Sequence, residues 1–296
     1  MILIGENIHI ISRKVSQAMK EKDPKPIQEL AVAQAEAGAD YLDLNLGPAR
    51  KDPEETAQWL VDTVQEVVDL PLSIDTMNVV AMEAGLKRCK RKPLLNSASN
   101  KTESKQQMLP LAKKYECDVV ISVIADYGMP ADTPMRVDSA MEVVAYANEL
   151  GIPNENIWVD PIVLPISTAG EGQRHSTSTL EFIGMLNELF PGIKSTVGLS
   201  NVSNGVPNEL RGILNRTYLV MLEKNGLYSA IADVLDKDLM RMCKFGEMAN
   251  IRELIYKVME GEEIDLSSLS KEEIDYVKTA RVIKGEVLYS DAWLEA

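Results

Sequence analysis

The sequence predicts a single parallel (β/α)₈ barrel followed by a C-terminal helical extension. Eight short runs of β-branched and aliphatic residues alternate with longer segments of helical period. Strands that alternate with helices form a parallel sheet, and eight such units close into a barrel. The 296 residues also suit this fold, which takes ~250 residues. An open doubly wound sheet is the alternative, but no Gly-x-Gly-x-x-Gly segment follows the first strand.

The eight strands are predicted where the short apolar runs lie. Runs that are apolar on both faces are typical of a parallel sheet covered by helices. The predicted strands are Leu3–Gly5, Tyr41–Asn45, Leu72–Asp75, Leu94–Asn96, Val119–Ile124, Ile157–Asp160, Ser195–Ser200 and Ala230–Asp233.

The segments between the strands have the spacing of amphipathic helices. In the first of them, Ile27, Leu30, Ala31, Gln34 and Ala35 lie on one helical face. Proline suits the first turn of a helix and glycine suits its end. The residues that fit these rules are Pro24, Pro26, Pro53, Gly38 and Gly151.

The C-terminal part continues beyond the barrel, which is predicted to close near residue 235. Lys237–Met259 has the pattern of one helix and Lys271–Lys284 that of a second, with Ser270 and Glu273 spaced as a capping box. We therefore divide the chain into a barrel, 1–259, and a helical tail, 260–296. The tail is expected to pack on the barrel or to form a dimer contact, and not to be a separate domain.

Composition excludes several classes of protein. The net charge of −14, without a basic stripe, argues against binding to nucleic acid. No apolar run reaches the ~18 residues of a membrane span. Three scattered cysteines, Cys89, Cys117 and Cys243, indicate a reducing cytoplasmic location and not a disulfide framework.

Polar residues follow six of the predicted strands. In a parallel barrel, side chains at the C-terminal strand ends face the active site. Each residue has a structural alternative: Asp75 could cap a helix, Asp160 before Pro161 could shape a turn, and Asn201 could tie two loops. Six strand ends with the same chemistry are harder to explain as six separate caps. The strand-end residues are Glu6, Asn7, Asp43, Asn45, Asp75, Asn96, Asp160, Ser200 and Asn201.

Carboxylates and amides with almost no cations suit a neutral heterocycle that is rich in N–H donors. One carboxylate can accept from both the ring N–H and the exocyclic NH₂ of a 2-amino-4-oxopyrimidine. A metal ion held by Asp43, Asp75 and Asp160 is the competing interpretation. No histidine ends a strand, so no metal is predicted; His9 follows the first strand, and His175 is expected to be a solvated loop residue.

Seven segments together resemble one family. The chain is similar to the methyltetrahydrofolate–corrinoid protein methyltransferases, in the pterin-binding barrel superfamily that includes dihydropteroate synthase and the folate domain of cobalamin-dependent methionine synthase. The segments follow in family order over about residues 1–235. They are IGENI at 4–8, LDLNLGP at 42–48, SIDTMN at 73–78, LLNSAS at 94–99, WVDPIVLP at 158–165, GLSNVS at 198–203 and LNRTYL at 214–219.

The resemblance implies a site and a reaction. The reaction moves a methyl group between N5 of methyltetrahydrofolate and the cobalt of a corrinoid, in a direction that the sequence does not encode. The resemblance implies that Asp75, Asn96 and Asp160 hold the pterin, that Gly198 and Ser200 line it, and that Asn201 reaches N5. Asn201, Asp75 and Asn96 form the expected catalytic set. Glu6, Asn7 and Asp43 are expected at the pterin site, and Asn204 and Arg211 near the folate, although the loop Asn204–Glu209 departs from the family pattern.

The partners are also implied by the resemblance. The chain has no Asp-x-His-x-x-Gly segment, so cobalamin is expected on a separate corrinoid protein in an anaerobic pathway, and the enzyme is expected to be a homodimer. Dihydropteroate synthase is one alternative, but its Ser-x-Arg-x-His signature is replaced by Ala230–Asp233 without a cation. A non-catalytic pterin-binding protein and a metal-dependent barrel lyase are the others.

Overall fold

Eight parallel strands form one sheet in the computed structural model, which describes residues 1–295. The sheet order is β7-β6-β5-β4-β3-β2-β1-β8, so the predicted parallel (β/α)₈, or TIM, barrel is confirmed. The strands are β1 Ile2–His9, β2 Tyr41–Gly47, β3 Leu72–Thr76, β4 Leu94–Asn100, β5 Asp118–Ala125, β6 Ile157–Asp160, β7 Lys194–Ser195 and β8 Ser229–Ala232.

The seam between β7 and β8 closes the barrel with few hydrogen bonds. Ile231 N donates to Val197 O at 2.8 Å, and Ser229 Oγ donates to Ser195 O at 3.0 Å. The predicted strand over Ser195–Ser200 is present only at Ser195 and as an isolated bridge between Gly198 and Ile231. It was wrong at its end, because Leu199–Ser203 forms a 3₁₀ helix. Local i to i+3 hydrogen bonds, such as Asn204 N to Asn201 O at 3.1 Å, replace strand pairing there.

The helices surround the barrel and begin largely where the sequence signals place them. Pro24 and Pro53 are the first residues of their helices, and Gly38 ends α2 with a φ of 102°, as predicted. The helices are α1 Arg13–Glu21, α2 Pro24–Ala37, α3 Pro53–Gln65, α4 Val79–Arg88, α5 Thr102–Lys114, α6 Thr133–Glu149, α7 Gly172–Leu189, α8 Asn208–Lys224, α9 Lys237–Cys243, α10 Ala249–Glu260 and α11 Lys271–Lys284.

Two apolar layers follow from the alternation of side chains along each strand. Residues such as Leu3, Leu42 and Ile74 pack outwards against the helices. The residues directly before and after each of them in the strand point into the barrel. The interior cluster consists of Ile4, Leu94, Val120 and Trp158, with Ile2, Tyr41 and Ile231 against it. The residues two positions after the members of this interior cluster therefore also face inwards, on its C-terminal side. They include Glu6, Asp43, Asn96, Asp160 and Asp233.

The tail lies against α7 and α8. The prediction of one helix over Lys237–Met259 was wrong, because the chain breaks between α9 and α10, where Gly246 and Met248 have φ of 71° and 56°. The second helix has the predicted bounds, and the capping box of Ser270 and Glu273 is confirmed. Gln173 of α7 donates to Val287 O at 2.7 Å, so the final segment is attached to the barrel. No helix within residues 1–295 has the length and apolar character needed to cross a membrane.

Candidate active site

Glu6 and Asn7 enter the barrel together because β1 contains a bulge. Gly5 pairs with Leu42 and Ile8 with Leu44, so three residues of β1 oppose two of β2, and a bulge of this kind re-aims side chains. Gln34 of α2 is fully buried, and its Oε1 accepts from Asn7 N at 3.1 Å. A Cβ on Gly5 would lie 2.3 Å from that oxygen, so a larger residue here would displace the Gln34 amide from Asn7.

The two bulge residues form hydrogen bonds with the segments that follow β7 and β8. Ser200 Oγ donates to Glu6 Oε1 at 2.6 Å, and Asn7 Nδ2 donates to Asp233 Oδ1 at 3.0 Å. Burial, together with the charges of Asp233 and Asp43, raises the pKa of Glu6 to about 7, although the Ser200 hydrogen bond lowers it. Glu6 is thus a buried acid that exchanges a proton near neutral pH.

Asn201 follows Ser200 in the 3₁₀ helix and faces the open mouth of the barrel. Asn204 Nδ2 donates to Asn201 Oδ1 at 3.3 Å, so the Asn201 amide nitrogen is the group left to donate. A Cβ on Gly198 would lie 3.1 Å from that nitrogen, which is tighter than an ordinary contact. Arg211 Nε donates to Ser203 Oγ at 3.1 Å and holds the end of the same turn.

Asn45, Asp75 and Asn96 form a row across three neighbouring strands. Asp75 is in register with Asn45 of β2 and with Asn96 of β4. Asn45 Nδ2 donates to Asp75 Oδ2. The possibility that Asp75 caps α4 is excluded, because Asn78 does so through Val80 N at 3.0 Å. The Asp75 carboxylate therefore remains in the site.

Asp43 precedes Asn45 by two positions on β2, so its side chain points inwards nearer the apolar interior cluster, and it is buried. Its Oδ1 accepts from Ser73 Oγ at 2.6 Å and from Asn96 Nδ2 at 3.1 Å. Burial raises the pKa of Asp43 to about 6. Burial and the Asp43 charge also raise the pKa of Asp75 well above its usual range. Two neighbouring buried carboxylates resist double ionisation, so this pair retains a proton at pH values where isolated carboxylates are ionised.

Asp160, at the end of β6, completes a ring of acids and amides at the C-terminal strand ends. The other members of this ring are Glu6, Asn7, Asp43, Asp75 and Asn96. Its Oδ1 accepts from Ile162 N at 2.8 Å, so it also shapes a turn, as the structural alternative predicted. Oδ2 remains free to accept from a ligand. Burial raises the pKa of Asp160 to about 7, against the lowering effects of the Ile162 hydrogen bond and the Arg136 charge.

The expectation for His175 was wrong. The Gly-Ser-Thr-rich segment forms α7, and His175 is 7% exposed within it. The helix packs closely there, since a Cβ on Gly172 would lie 2.1 Å from Ile166 O, and this tertiary contact has no signature in the local sequence. Within the part of the chain that the structure describes, no three His, Cys, Asp or Glu side chains are arranged to hold a metal ion.

The structure adds residues that are absent from the predicted set. Ser73 lies two positions from Asp75, so the alternation of side chains was a signal for it. Asn45 was among the predicted strand-end residues, but its hydrogen bond to Asp75 was not predicted. Gln34 was visible as a polar residue in the apolar stripe of α2. Asp233 ends β8, and its contact with Asn7 depends on the barrel closing.

Comparisons with known proteins identify the family of this chain. The pterin binding enzyme family matches residues 12–232. A methylcorrinoid:tetrahydrofolate methyltransferase from Eubacterium limosum is 32% identical over 242 residues, which are 81% of this chain and 88% of that protein. A methionine synthase from Mycobacterium leprae (strain TN) is 26% identical over 239 residues, which are 78% of this chain and 20% of that longer protein.

The fold is shared with solved structures at lower identity. A dihydropteroate synthase from Stenotrophomonas maltophilia superposes with a TM-score of 0.63 at 16% identity, over 83% of this chain and 93% of that chain. The resemblance carried by the seven sequence segments is confirmed by the relatives of higher identity. This chain belongs to the pterin binding enzyme family.

Proposed function

We propose that this enzyme moves a methyl group between N5 of methyltetrahydrofolate and the cobalt of a corrinoid that a partner protein carries. The observation that carries the proposal is the ring of acids and amides around the exposed Asn201, in which Asp43 and Asn96 are buried and Glu6, Asp75 and Asp160 are half-buried. The Eubacterium limosum relative, named for transfer between a methylcorrinoid and tetrahydrofolate, supports the same reaction class.

The pterin is proposed to lie across the ring, with its pyrimidine edge at Asp160. A carboxylate there accepts from the ring N–H and the exocyclic NH₂ together. Asp75 and Asn96, which are adjacent in register, are proposed to contact the remaining ring nitrogens. Gly198 leaves space for the ring face, and Ser200, Glu6, Asn7 and Asp43 line the side of the seam.

The chain activates N5 through hydrogen bonds in this proposal. Reduced cobalt supplies the nucleophile for an SN2 displacement at the methyl carbon, and the electron pair of the broken C–N bond remains on N5. Asn201 donates a hydrogen bond to N5 as its charge changes, which stabilises the transition state more than the bound substrate. Glu6, with a pKa of about 7, and the Asp43–Asp75 pair are the buried acids from which a proton can reach N5.

Dihydropteroate synthase is the alternative reaction on this fold. Its substrate carries a pyrophosphate leaving group, which requires cationic side chains. The segment Ala230–Asp233 at the end of β8 instead ends in a carboxylate that is bonded to Asn7. This chemistry disfavours a pyrophosphate and favours the uncharged pterin of a methyl carrier.

The test is an anaerobic assay with methyltetrahydrofolate and Co(I) cobalamin, in which loss of the Co(I) absorbance is followed. Enzyme-dependent conversion that is lost in Asn201→Ala and kept in Asn250→Ala is expected. Asn250 is an exposed amide of α10 that is bonded to Glu273, and it serves as the matched control. If folate does not bind, the pterin assignment is wrong. If folate binds but neither cobalamin nor a corrinoid protein reacts, the chain is a non-catalytic pterin-binding protein.

The setting of the reaction is part of the same proposal. We favour transfer towards tetrahydrofolate, from a corrinoid protein charged by methoxyaromatic compounds or methylated amines. The tail 260–296 and the loop Asn204–Glu209 depart from the pattern of the shorter family members of acetogens, which transfer the methyl group in the other direction. The free cysteines fit a cytoplasmic anaerobic enzyme. A homodimer, with the tail 260–296 at its contact or packed on its own barrel, stays a prediction.

A further inference from the structure

Arg136 of α6 is a fully buried cation beside the end of β6. Its side chain has 0% exposure. Nε donates to Pro161 O at 3.1 Å, and Nη2 contacts His175 Nδ1 at 3.1 Å. Nη1 is buried without a hydrogen-bond partner in residues 1–295. A buried guanidinium whose direct partners are a carbonyl and an imidazole requires another source of stabilisation.

His175 holds the other end of Arg136 as a neutral acceptor. Because a guanidinium only donates, Nδ1 of His175 accepts, and the ring carries its proton on Nε2. Burial and the charge of Arg136 lower the pKa of His175. The imidazole therefore remains neutral at physiological pH and orients the guanidinium without neutralising it.

We infer that Arg136 is a positioning residue for Asp160, which fixes the turn after β6 and holds a positive charge behind the carboxylate that receives the ligand. This inference rests on the proposed function, since it gives Asp160 the role of pterin acceptor. It concerns a residue that does not itself contact the pterin.

The first part of the argument is the geometry of the turn. Ile162 has a φ of 63°, a conformation that is strained for a β-branched residue. In this conformation its N–H reaches Asp160 Oδ1 at 2.8 Å. Arg136 holds the carbonyl of Pro161, the residue between them, and so maintains the turn that aims Asp160.

The second part is electrostatic. Burial raises the pKa of Asp160 to about 7, and the Arg136 charge lowers it. Only an ionised carboxylate accepts from two N–H groups at once. Loss of the cation would raise the pKa of Asp160 further and leave a larger protonated fraction at neutral pH. The other groups that face Arg136 and His175 are Asp132, Tyr218, Arg174 and Glu171.

The experiment compares four variants with the wild type. Arg136→Met removes the charge and the hydrogen bonds, Arg136→Lys keeps the charge alone, and His175→Gln keeps a neutral acceptor. Arg174→Gln is the matched control, because it removes a more exposed cation that also acts on Arg136 and His175. Each is titrated with tetrahydrofolate between pH 5.5 and 8.5, and the Asp160 carboxyl is titrated by ¹³C NMR in the ligand-free protein.

We expect Arg136→Met to weaken binding about fivefold at pH 7, since a rise of one pKa unit from about 7 lowers the ionised fraction of Asp160 at that pH from about one half to about one tenth. Its pH midpoint for binding and for the Asp160 carboxyl should rise, so that affinity recovers at high pH. Arg136→Lys should keep the midpoint near that of the wild type with a several-fold weaker affinity. His175→Gln and Arg174→Gln should stay close to the wild type.

A wild-type pH midpoint in Arg136→Met, with only a lower melting temperature, would show a purely structural role and overturn the inference. If that variant does not fold, Arg136→Gln, which retains donors without the charge, provides the same midpoint test. Failure of the wild type to bind tetrahydrofolate would count against the proposed function. The ligand-free titration of Asp160 would still decide whether Arg136 controls its ionisation.

Discussion

Replacement of Asp160 by Asn tests the proposed pterin site most directly. In the variant, the N–H of Ile162 still needs an acceptor, so the amide oxygen takes the place of Oδ1, which accepts that bond at 2.8 Å. The amide nitrogen then points into the site, where the wild type presents an oxygen. A ligand N–H would face another donor, and a charged hydrogen bond would be lost.

The magnitude follows from these two losses. A hydrogen bond to a charged group contributes about 1.5–3 kcal/mol, and a buried donor without a partner costs about 1–3 kcal/mol. Because every 1.4 kcal/mol is about tenfold in affinity, we expect the two losses together to raise Kd ~10²–10⁴-fold. The change in turnover at saturating folate should be smaller, since Asp160 is at the pyrimidine edge and Asn201 is assigned to N5.

The assay is anaerobic calorimetric titration with tetrahydrofolate at pH 8. Asp126→Asn is the control, because Asp126 is an exposed carboxylate at the end of β5 that bonds Thr102 outside the ring. The wild type should bind more tightly as pH rises through about 7, where Asp160 ionises, and the Asp160 variant should lose this component. A Kd within threefold of the wild type would refute the assignment of Asp160 to the pterin.

Three further predictions concern turnover, folding and pH. Asn201→Ala should lower kcat by ~10²–10³, the size of a lost oxyanion-type donor, with a smaller change in folate affinity; equal losses in both, measured in the cobalamin assay and by titration, would contradict a transition-state role. Gly5→Ala should lower the free energy of unfolding, measured by chemical denaturation, by about 1–3 kcal/mol, because its Cβ would lie 2.3 Å from Gln34 Oε1. Gly184→Ala is the control and should be neutral or stabilising, because its Cβ has only contacts of 3.9 Å or more. Asp160→Asn should become more stable relative to the wild type as pH rises from 5 to 8. The wild-type carboxyl, whose folded pKa is raised to about 7, stabilises the fold fully below its unfolded pKa and loses that contribution as pH rises through the folded pKa. A melting-temperature difference that does not vary with pH would contradict this.

Much of the fold could be predicted because its signals are local. The alternation of apolar runs with helical stripes gave the eight strands, and the capping box of Ser270 and Glu273 gave both the start and the nature of α11. The strand-end residues could be predicted for a related reason. In a parallel barrel, all C-terminal strand ends meet at one face, so Asp75, Asn96 and Asp160 converge without knowledge of individual contacts.

The remaining features depend on contacts between distant parts of the chain. The predicted strand at Ser195–Ser200 fails because regular pairing of β7 ends after two residues. Only an isolated bridge of Gly198 with Ile231 follows, and turn hydrogen bonds begin at Leu199. The burial of His175 depends on Arg136, 39 positions earlier in the chain. The contact of Asn7 with Asp233 spans 226 positions. No local periodicity encodes such pairs, although the polar Gln34 within an apolar stripe indicated a buried partner.

The acidic ring explains both what the site rejects and how it can deliver a proton. Burial raises the pKa of Glu6 to about 7 and that of Asp43 to about 6, and the charges of Asp233 and Asp43 add to the shift at Glu6. The same negative potential opposes a pyrophosphate but not an uncharged pterin ring. When the methyl group leaves N5, the nitrogen becomes more basic, and the nearby acids are still partly protonated at neutral pH. We infer that the ring therefore selects an N–H-rich heterocycle and also holds the proton that this heterocycle needs. Glu6→Gln should slow turnover in the cobalamin assay most below about pH 7, where Glu6 still carries its proton, and less above it, where the wild-type carboxyl is ionised as well.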